Sequence, residues 1–198
     1  MNAGGRDGGG GARRGTFVLV VGPSGAGKDS IIEGARAALE GKGGFVFPRR
    51  YITRAAAAGG EAHVALTPEV FAHRREAGDF LLEWHAHGLD YALPQAIAAE
   101  LAAGRTVIAN VSRSVIEAAR ARFQPLIVAA VTAPDTVLSA RIRARGREAA
   151  GDVAARLERA RTDRPSGADV ITIVNDGPLA RAVEAFVALL RHTRRTNP

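Results

Sequence analysis

Nine consecutive residues, Gly22-Pro23-Ser24-Gly25-Ala26-Gly27-Lys28-Asp29-Ser30, have the types and spacing to hold a string of phosphates. The pattern G-x-x-x-x-G-K is that of a phosphate-binding P-loop. Glycines let the backbone curl until successive N–H groups point inward, and a helix starting there adds partial positive charge. Lys28 then neutralises the β- and γ-phosphate oxygens of a nucleoside triphosphate. Of the 27 basic residues only Lys28 and Lys42 are lysines. A compact ammonium suits a terminal phosphate as a point charge, so a lysine at this one place supports the reading. The simple motif continues with Ser or Thr, whose hydroxyl reaches Mg²⁺. Here Asp29 follows the lysine and Ser30 comes one residue later.

The elements that must position this loop are readable on both sides. Thr16 to Val21 is short, apolar and β-branched, the mark of a buried parallel strand, and Ile31 to Leu39 carries apolar residues at helical spacing. Further on, Phe45 to Arg54 reads as one strand ending in basic residues. Thr67 and Pro68 read as the N-cap and first position of a helix running toward Gly78. Phe80 to His85 and the stretch around Tyr91 read as a strand, a turn and a return strand. Pro94 to Ala103 is expected as a helix stopped by Gly104. Thr106 to Asn110 and Leu126 to Val131 are two more buried strands, with a helix over Ser114 to Phe123 between them. Helices over Asp135 to Arg145 and Asp152 to Arg161, a strand over Val170 to Val174 and an amphipathic helix over Pro178 to His192 complete the chain. Strands alternating with helices imply a parallel sheet covered on both faces, and the segment around Tyr51 to Tyr91 breaks that rhythm as an inserted lobe.

The bulk numbers fit one globular domain. The chain has 198 residues, 46% hydrophobic and 24% charged, long enough for a full core. It has no cysteine, which excludes disulfides and thiolate metal sites and fits a reducing compartment. No apolar run approaches the ~18 residues that span a bilayer. Residues 1–15 are rich in glycine without an apolar stretch, so they read as a disordered tail and not as a secretory leader. The expectation is a soluble, cytoplasmic protein with no membrane partner. Net charge is +7 with only 5% aromatics. The arginines are spread through tails, helices and loops, unlike a basic patch interleaved with aromatics. A small polyanionic substrate suits them better than nucleic acid. His63, His85 and His87 lack nearby carboxylates in a tight cluster, which argues against zinc. Oligomeric state stays open between monomer and homodimer.

From Gly15 onward the chain resembles the nucleoside-monophosphate kinases of the P-loop class, guanylate kinase in particular. The glycine loop, Thr53-Arg54, Gly60-Glu61, Phe80 to Trp84, Arg145-Gly146 and Val174-Asn175-Asp176 carry the likeness in that order. Within that group it is similar to the ribose 1,5-bisphosphate phosphokinase (PhnN-type) family. The segments that carry this are Gly27 to Ser30, Arg50 to Arg54, Gly60-Glu61 with His63, Trp84 to Leu89, Asn110 to Arg113 and Asn175 to Gly177. The resemblance implies an α/β P-loop kinase fold with a five-stranded parallel sheet flanked by helices. It implies a single domain over 16–198, an inserted acceptor-binding lobe at about 51–92 and a short lid at about 143–156. The implied activity is ATP- and Mg²⁺-dependent phosphorylation of a small phosphorylated sugar, ribose 1,5-bisphosphate, to 5-phosphoribosyl 1-diphosphate (PRPP) in phosphonate breakdown.

Residue roles follow from the same resemblance. Gly22 to Ser30 bind ATP, and Lys28 with lid arginines Arg141, Arg145 and Arg156 act on the transferring group. Arg141 and Arg145 are four apart and share a helix face. Arg54 grips an acceptor phosphate with Arg50 beside it, and Glu61, His63, Glu83, His85 and Tyr91 complete the acceptor pocket. Asn175-Asp176 borders the adenine or forms a plain strand-to-helix turn. Ser30 serves Mg²⁺, and Asp29 either adds a carboxylate to the metal or only caps the helix. Departures from guanylate kinase are Ala57 in place of a second phosphate-binding arginine, Asn110 and Ser112 in place of paired aspartates, and Tyr91-Ala92-Leu93 without a guanine-reading hydroxyl. Glu83 stands where that family keeps its guanine-reading carboxylate, so an altered guanylate kinase is the second reading. A kinase-like binding module without catalysis is the third.

Overall fold

A computed structural model describes residues 14–55, 62–144 and 164–196. The expected tail up to residue 13, Ala57, Glu61, Arg145, Arg156, the helix over Asp152 to Arg161 and nearly all of the expected lid lie outside them. Gly15 is buried, and its amide donates to the Leu101 carbonyl at 2.7 Å.

The central element is β1 (Phe17–Val21), in which all five residues are buried. Its alternating side chains serve two cores, as a parallel sheet covered on both faces requires. Phe17, Leu19 and Val21 face one cluster and Val18 and Val20 the other. The sheet has the order β2-β7-β1-β8-β9, all parallel, where β2 is Phe45–Val46, β7 Thr106–Asn110, β8 Leu126–Thr132 and β9 Val170–Val174. Helices α1 (Lys28–Ala38), α5 (Asp135–Ala144) and α6 (Leu179–Thr196) cover one face through Ile31, Ala35, Leu138, Phe186 and Leu190. The other face is covered by α3 (Ile97–Ala102), α4 (Ile116–Arg122) and a second sheet.

That second sheet has the order β4-β3-β6-β5, from β3 (Tyr51–Ile52), β4 (Val64–Ala65), β5 (Phe80–Ala86) and β6 (Leu89–Pro94). The single strand expected over Phe45 to Arg54 is in fact divided between the two sheets. Phe45–Val46 pairs with β7 and Tyr51–Ile52 pairs with β6. Pro48 lies between them; it has no N–H to donate to a ladder, so the chain leaves one sheet there and enters the next. Helix α2 (Pro68–Glu76) starts as expected, with Thr67 Oγ1 accepting from the Val70 amide at 3.3 Å. The helix expected from Pro94 starts only at Ile97, because Pro94 ends β6 opposite Phe80. Arg113–Val115 forms a 3₁₀ turn ahead of α4. Among the described residues no helix is long and apolar enough to cross a membrane.

Candidate active site

The site lies where the parallel strands β1 and β7 end, the place where open α/β sheets bind ligands. Leaving β1, the chain turns through Gly22 at φ 146° and Gly27 at φ 90°. A Cβ at Gly22 would stand 2.1 Å from the Val131 carbonyl oxygen, and one at Gly27 2.4 Å from Asn175 Nδ2. Conformation and space thus both demand glycine at these two positions. Asn175 is buried and donates from Nδ2 to the Ala26 carbonyl at 2.8 Å. Arg141 reaches the Asn175 carbonyl at 3.2 Å and the Gly25 carbonyl at 3.5 Å. With loop carbonyls engaged by these two side chains, the loop is braced in the curl that presents amides to an anion. The Lys28 ammonium folds over the loop and donates to the Gly22 and Pro23 carbonyls at 2.8 and 3.2 Å.

One cleft joins this loop to the second sheet and to the end of β7. From the second sheet come Arg50, Arg54, Trp84, His87 and Tyr91, and from beyond β7 come Asn110, Ser112 and Arg113. Trp84 and Tyr91 stack in nearly parallel planes 5.5 Å apart, and the Arg50 guanidinium lies 5.9 and 5.3 Å from their ring centres. Trp84 is buried and also lines the cleft. Arg54 is held at one end by His63: Nη2 meets His63 Nδ1 at 3.3 Å and the other ring nitrogen lies 3.2 Å from the Arg54 carbonyl. The Nε of Arg54 is buried with no hydrogen-bond partner among the described residues. A buried orphan donor in a cationic cleft fits an anionic ligand, since leaving it unpaired costs about 1–3 kcal/mol.

The acceptor pocket differs from expectation at three places, Glu83, His85 and His63. Glu83 and His85 are not in the cleft. Along β5 side chains alternate, and because Trp84 and Ala86 line the cleft, Glu83 and His85 point to the other face. There Glu83 accepts from Arg75 Nε at 2.7 Å, a bond that holds the Arg75 pKa above its ordinary value. His85 Nδ1 pairs with Asp90 at 2.8 Å and is mostly exposed. His63 sits behind Arg54 and does not line the cleft, and Asp176 is exposed outside it. Arg141 braces the loop and is likewise absent from the cleft wall. The cleft also takes in residues outside the expected site set, His87, Ser112 and Arg113 among them. His87 takes φ 54° beside Gly88 at φ 72°. A two-residue turn with both φ positive is a hairpin apex, so the His-Gly pair was the available signal. Ser112 and Arg113 were signalled by lying just past the carboxyl end of a parallel strand.

Asp29 sits in the first turn of α1, where Gly27 is the N-cap and no side chain caps the helix. Its carboxylate accepts from Asn110 Nδ2 at 2.7 Å. Asp29 and Ser30 both line the cleft. No group of three or more His, Asp or Glu able to hold a metal gathers among the described residues. This donor set suits Mg²⁺, which takes one or two protein ligands and completes its shell from phosphates and water.

A parallel sheet with a glycine loop and lysine after its central strand, facing a second sheet that carries arginines, defines a P-loop kinase. Among solved structures, the guanylate kinase from Anaplasma phagocytophilum superposes with TM-score 0.64 at 16% identity, covering 92% of this chain and 87% of that one. A gluconokinase from Sinorhizobium meliloti gives TM-score 0.51 at 18% identity, covering 93% and 95%. No protein-family model matches. The ribose 1,5-bisphosphate phosphokinase PhnN of Bradyrhizobium diazoefficiens is 44% identical over 178 residues, 90% of this chain and 89% of that protein. That of Methylobacterium radiotolerans is 47% identical over 89% of this chain and 98% of that protein. A bifunctional ribose 1,5-bisphosphokinase-thymidine phosphorylase of Azorhizobium caulinodans is 49% identical, and this chain spans only 25% of its length. The chain belongs to the ribose 1,5-bisphosphate phosphokinase PhnN family.

Proposed function

We propose that this chain transfers the γ-phosphoryl group of ATP to the 1-phosphate of ribose 1,5-bisphosphate, giving 5-phospho-α-D-ribose 1-diphosphate and ADP. One observation carries the reading: a single cleft bounded by the phosphate loop with Lys28 on one side and by Arg50 and Arg54 on another. The relatives' names supply the substrate. An oxygen of the 1-phosphate attacks the γ-phosphorus, the bond to the β,γ-bridging oxygen breaks, and its electrons leave with ADP. The attacking oxygen is already anionic, so positioning and charge neutralisation suffice and no general base is required. Lys28 and the loop amides hold the nucleotide phosphates, while Arg54, oriented by His63 and flanked by Arg50, holds the acceptor phosphate. Ser30 and Asp29, the latter fixed by Asn110, would hold Mg²⁺, which supplies charge neutralisation between the phosphates. Arg145 and Arg156 are proposed to cover the transferring group, and the setting is proposed to be cytoplasmic.

The guanylate kinase reading requires a carboxylate for the guanine N–H groups, and Glu83 is instead bonded to Arg75 on the far face of β5. An assay of ADP release from ATP with Mg²⁺, offering ribose 1,5-bisphosphate and GMP separately, tests the proposal. The expected result is a much higher kcat/KM for ribose 1,5-bisphosphate. Higher kcat/KM for GMP reverses the assignment, and turnover with neither favours a binding module.

A further inference from the structure

We propose that Ser112 and Arg113 bind the phosphate of the acceptor that is not phosphorylated, the 5-phosphate, and so set the preference for a bisphosphate. This rests on the function proposed above. The described side chains lining the cleft bring four permanent cations, Lys28, Arg50, Arg54 and Arg113, against one carboxylate, Asp29. Lys28 belongs to the loop, and Arg50 and Arg54 stand together on the second sheet for the reacting phosphate. Arg113 stands apart, on the wall formed beyond β7. A bisphosphate has a second dianionic end that a guanidinium on this wall can meet.

Local structure makes this wall a fixed one. Asn110 is tied to Asp29 beside the loop, and Arg113 follows three residues later at the start of the 3₁₀ turn. Val115 and Ile116 are buried and anchor the turn that presents it. Ser112 Oγ accepts from the Ser114 amide at 3.3 Å and from the Ser114 hydroxyl at 2.9 Å, which leaves its own O–H as a donor to the cleft. A hydroxyl donor next to a guanidinium is a phosphate-binding pair, because the guanidinium can meet two oxygens at once. The neutral side chains at positions 110 and 112 matter for the same reason: carboxylates there would repel a second phosphate.

The test is a cycle over two variants and two half-ligands, ribose 5-phosphate and ribose 1-phosphate, each titrated as a competitor of ribose 1,5-bisphosphate turnover. Arg113→Gln is expected to weaken ribose 5-phosphate about 10- to 100-fold and ribose 1-phosphate less than about threefold, with the KM for ATP unchanged. Ser112→Asp, which keeps an N-cap oxygen for the turn, is expected to weaken the 5-phosphate in the same direction. Equal losses for both half-ligands, or a loss confined to ribose 1-phosphate, overturn the assignment while leaving the proposed reaction standing. A wild-type protein that turns over GMP but not ribose 1,5-bisphosphate overturns both. Equal thermal melting of wild type and Arg113→Gln would exclude misfolding as the cause of a loss.

Discussion

Replacing Lys28 by Met removes an ammonium that touches the loop, and with it the charge that the proposed reaction sets against the transferring phosphoryl group. Loss of one such preorganised group costs about 10²–10³ in kcat, so steady-state turnover of Lys28→Met should fall by at least that factor. Its folding should be little changed, because its bonds to the Gly22 and Pro23 carbonyls are part-buried contacts local to the loop. Glu83→Gln runs the other way. The guanylate kinase reading makes Glu83 a specificity residue, whereas its place opposite Arg75, with both side chains 40% or more exposed, makes it a surface ion pair. Such pairs contribute about 0–1 kcal/mol, and the variant should keep kcat/KM for ribose 1,5-bisphosphate within about twofold; a tenfold loss would put Glu83 back in the site. Legibility at this scale followed the same line. The loop was plain in the sequence because its chemistry is contiguous, and Arg50, Arg54 and Tyr91 line the same cleft. Glu83 and His85 were misplaced because type and neighbourhood were right while strand parity, a property of the folded sheet, put them on the wrong face.

At the level of elements, the loop depends on what stands behind it. Asn175, at the end of β9, bridges to Ala26 across 149 positions of sequence. Asn175→Asp would set a carboxylate against that carbonyl, leaving a buried acceptor unpaired at a cost of about 1–3 kcal/mol. The expected outcome is a lower melting temperature together with a raised KM for ATP, and an unchanged KM for ATP would mean that Asn175 does not brace the loop. A second tie joins α4 to the turn before β9. Arg120 donates twice to Asp169, at 2.9 and 2.7 Å, and to the Ser166 carbonyl at 2.7 Å. The Arg120 hydrogen bond holds the Asp169 pKa below its usual value. A carboxylate depressed in the folded state contributes fully above its unfolded pKa of about 3.9 and loses that contribution as pH falls through the lower folded value. Urea unfolding of Asp169→Asn should therefore show a deficit of about 1 kcal/mol that is constant from pH 5 to 8 and closes below about pH 4. A deficit that persists undiminished at pH 2 would contradict this. None of these ties was readable in the sequence, since they join residues far apart in the chain through geometry that only the sheet order creates.

On the scale of the molecule, the alternation of strands and helices was legible, and so were five parallel strands and a lobe that interrupts them. The handover at Pro48 was not, because Phe45 to Arg54 has the composition of one strand and the choice of partner is non-local. That handover has a functional consequence. It places Arg50 and Arg54, which flank β3, beside a different sheet from the phosphate loop, so in the proposed reaction the two substrates would load different walls of one cleft. A ligand at 100 times its Kd stabilises the folded chain by about 2.7 kcal/mol. For a chain of this size that is roughly 5–10 °C in melting temperature. Wild type should show such a shift with ATP and Mg²⁺ and, separately, with ribose 1,5-bisphosphate. At the same ligand concentrations Lys28→Met should lose most of the ATP shift and keep that of the bisphosphate, while Arg54→Gln should do the reverse. If either variant lost both shifts in equal measure while melting normally without ligand, the two-wall architecture would be wrong, because a single shared site would then be binding both halves.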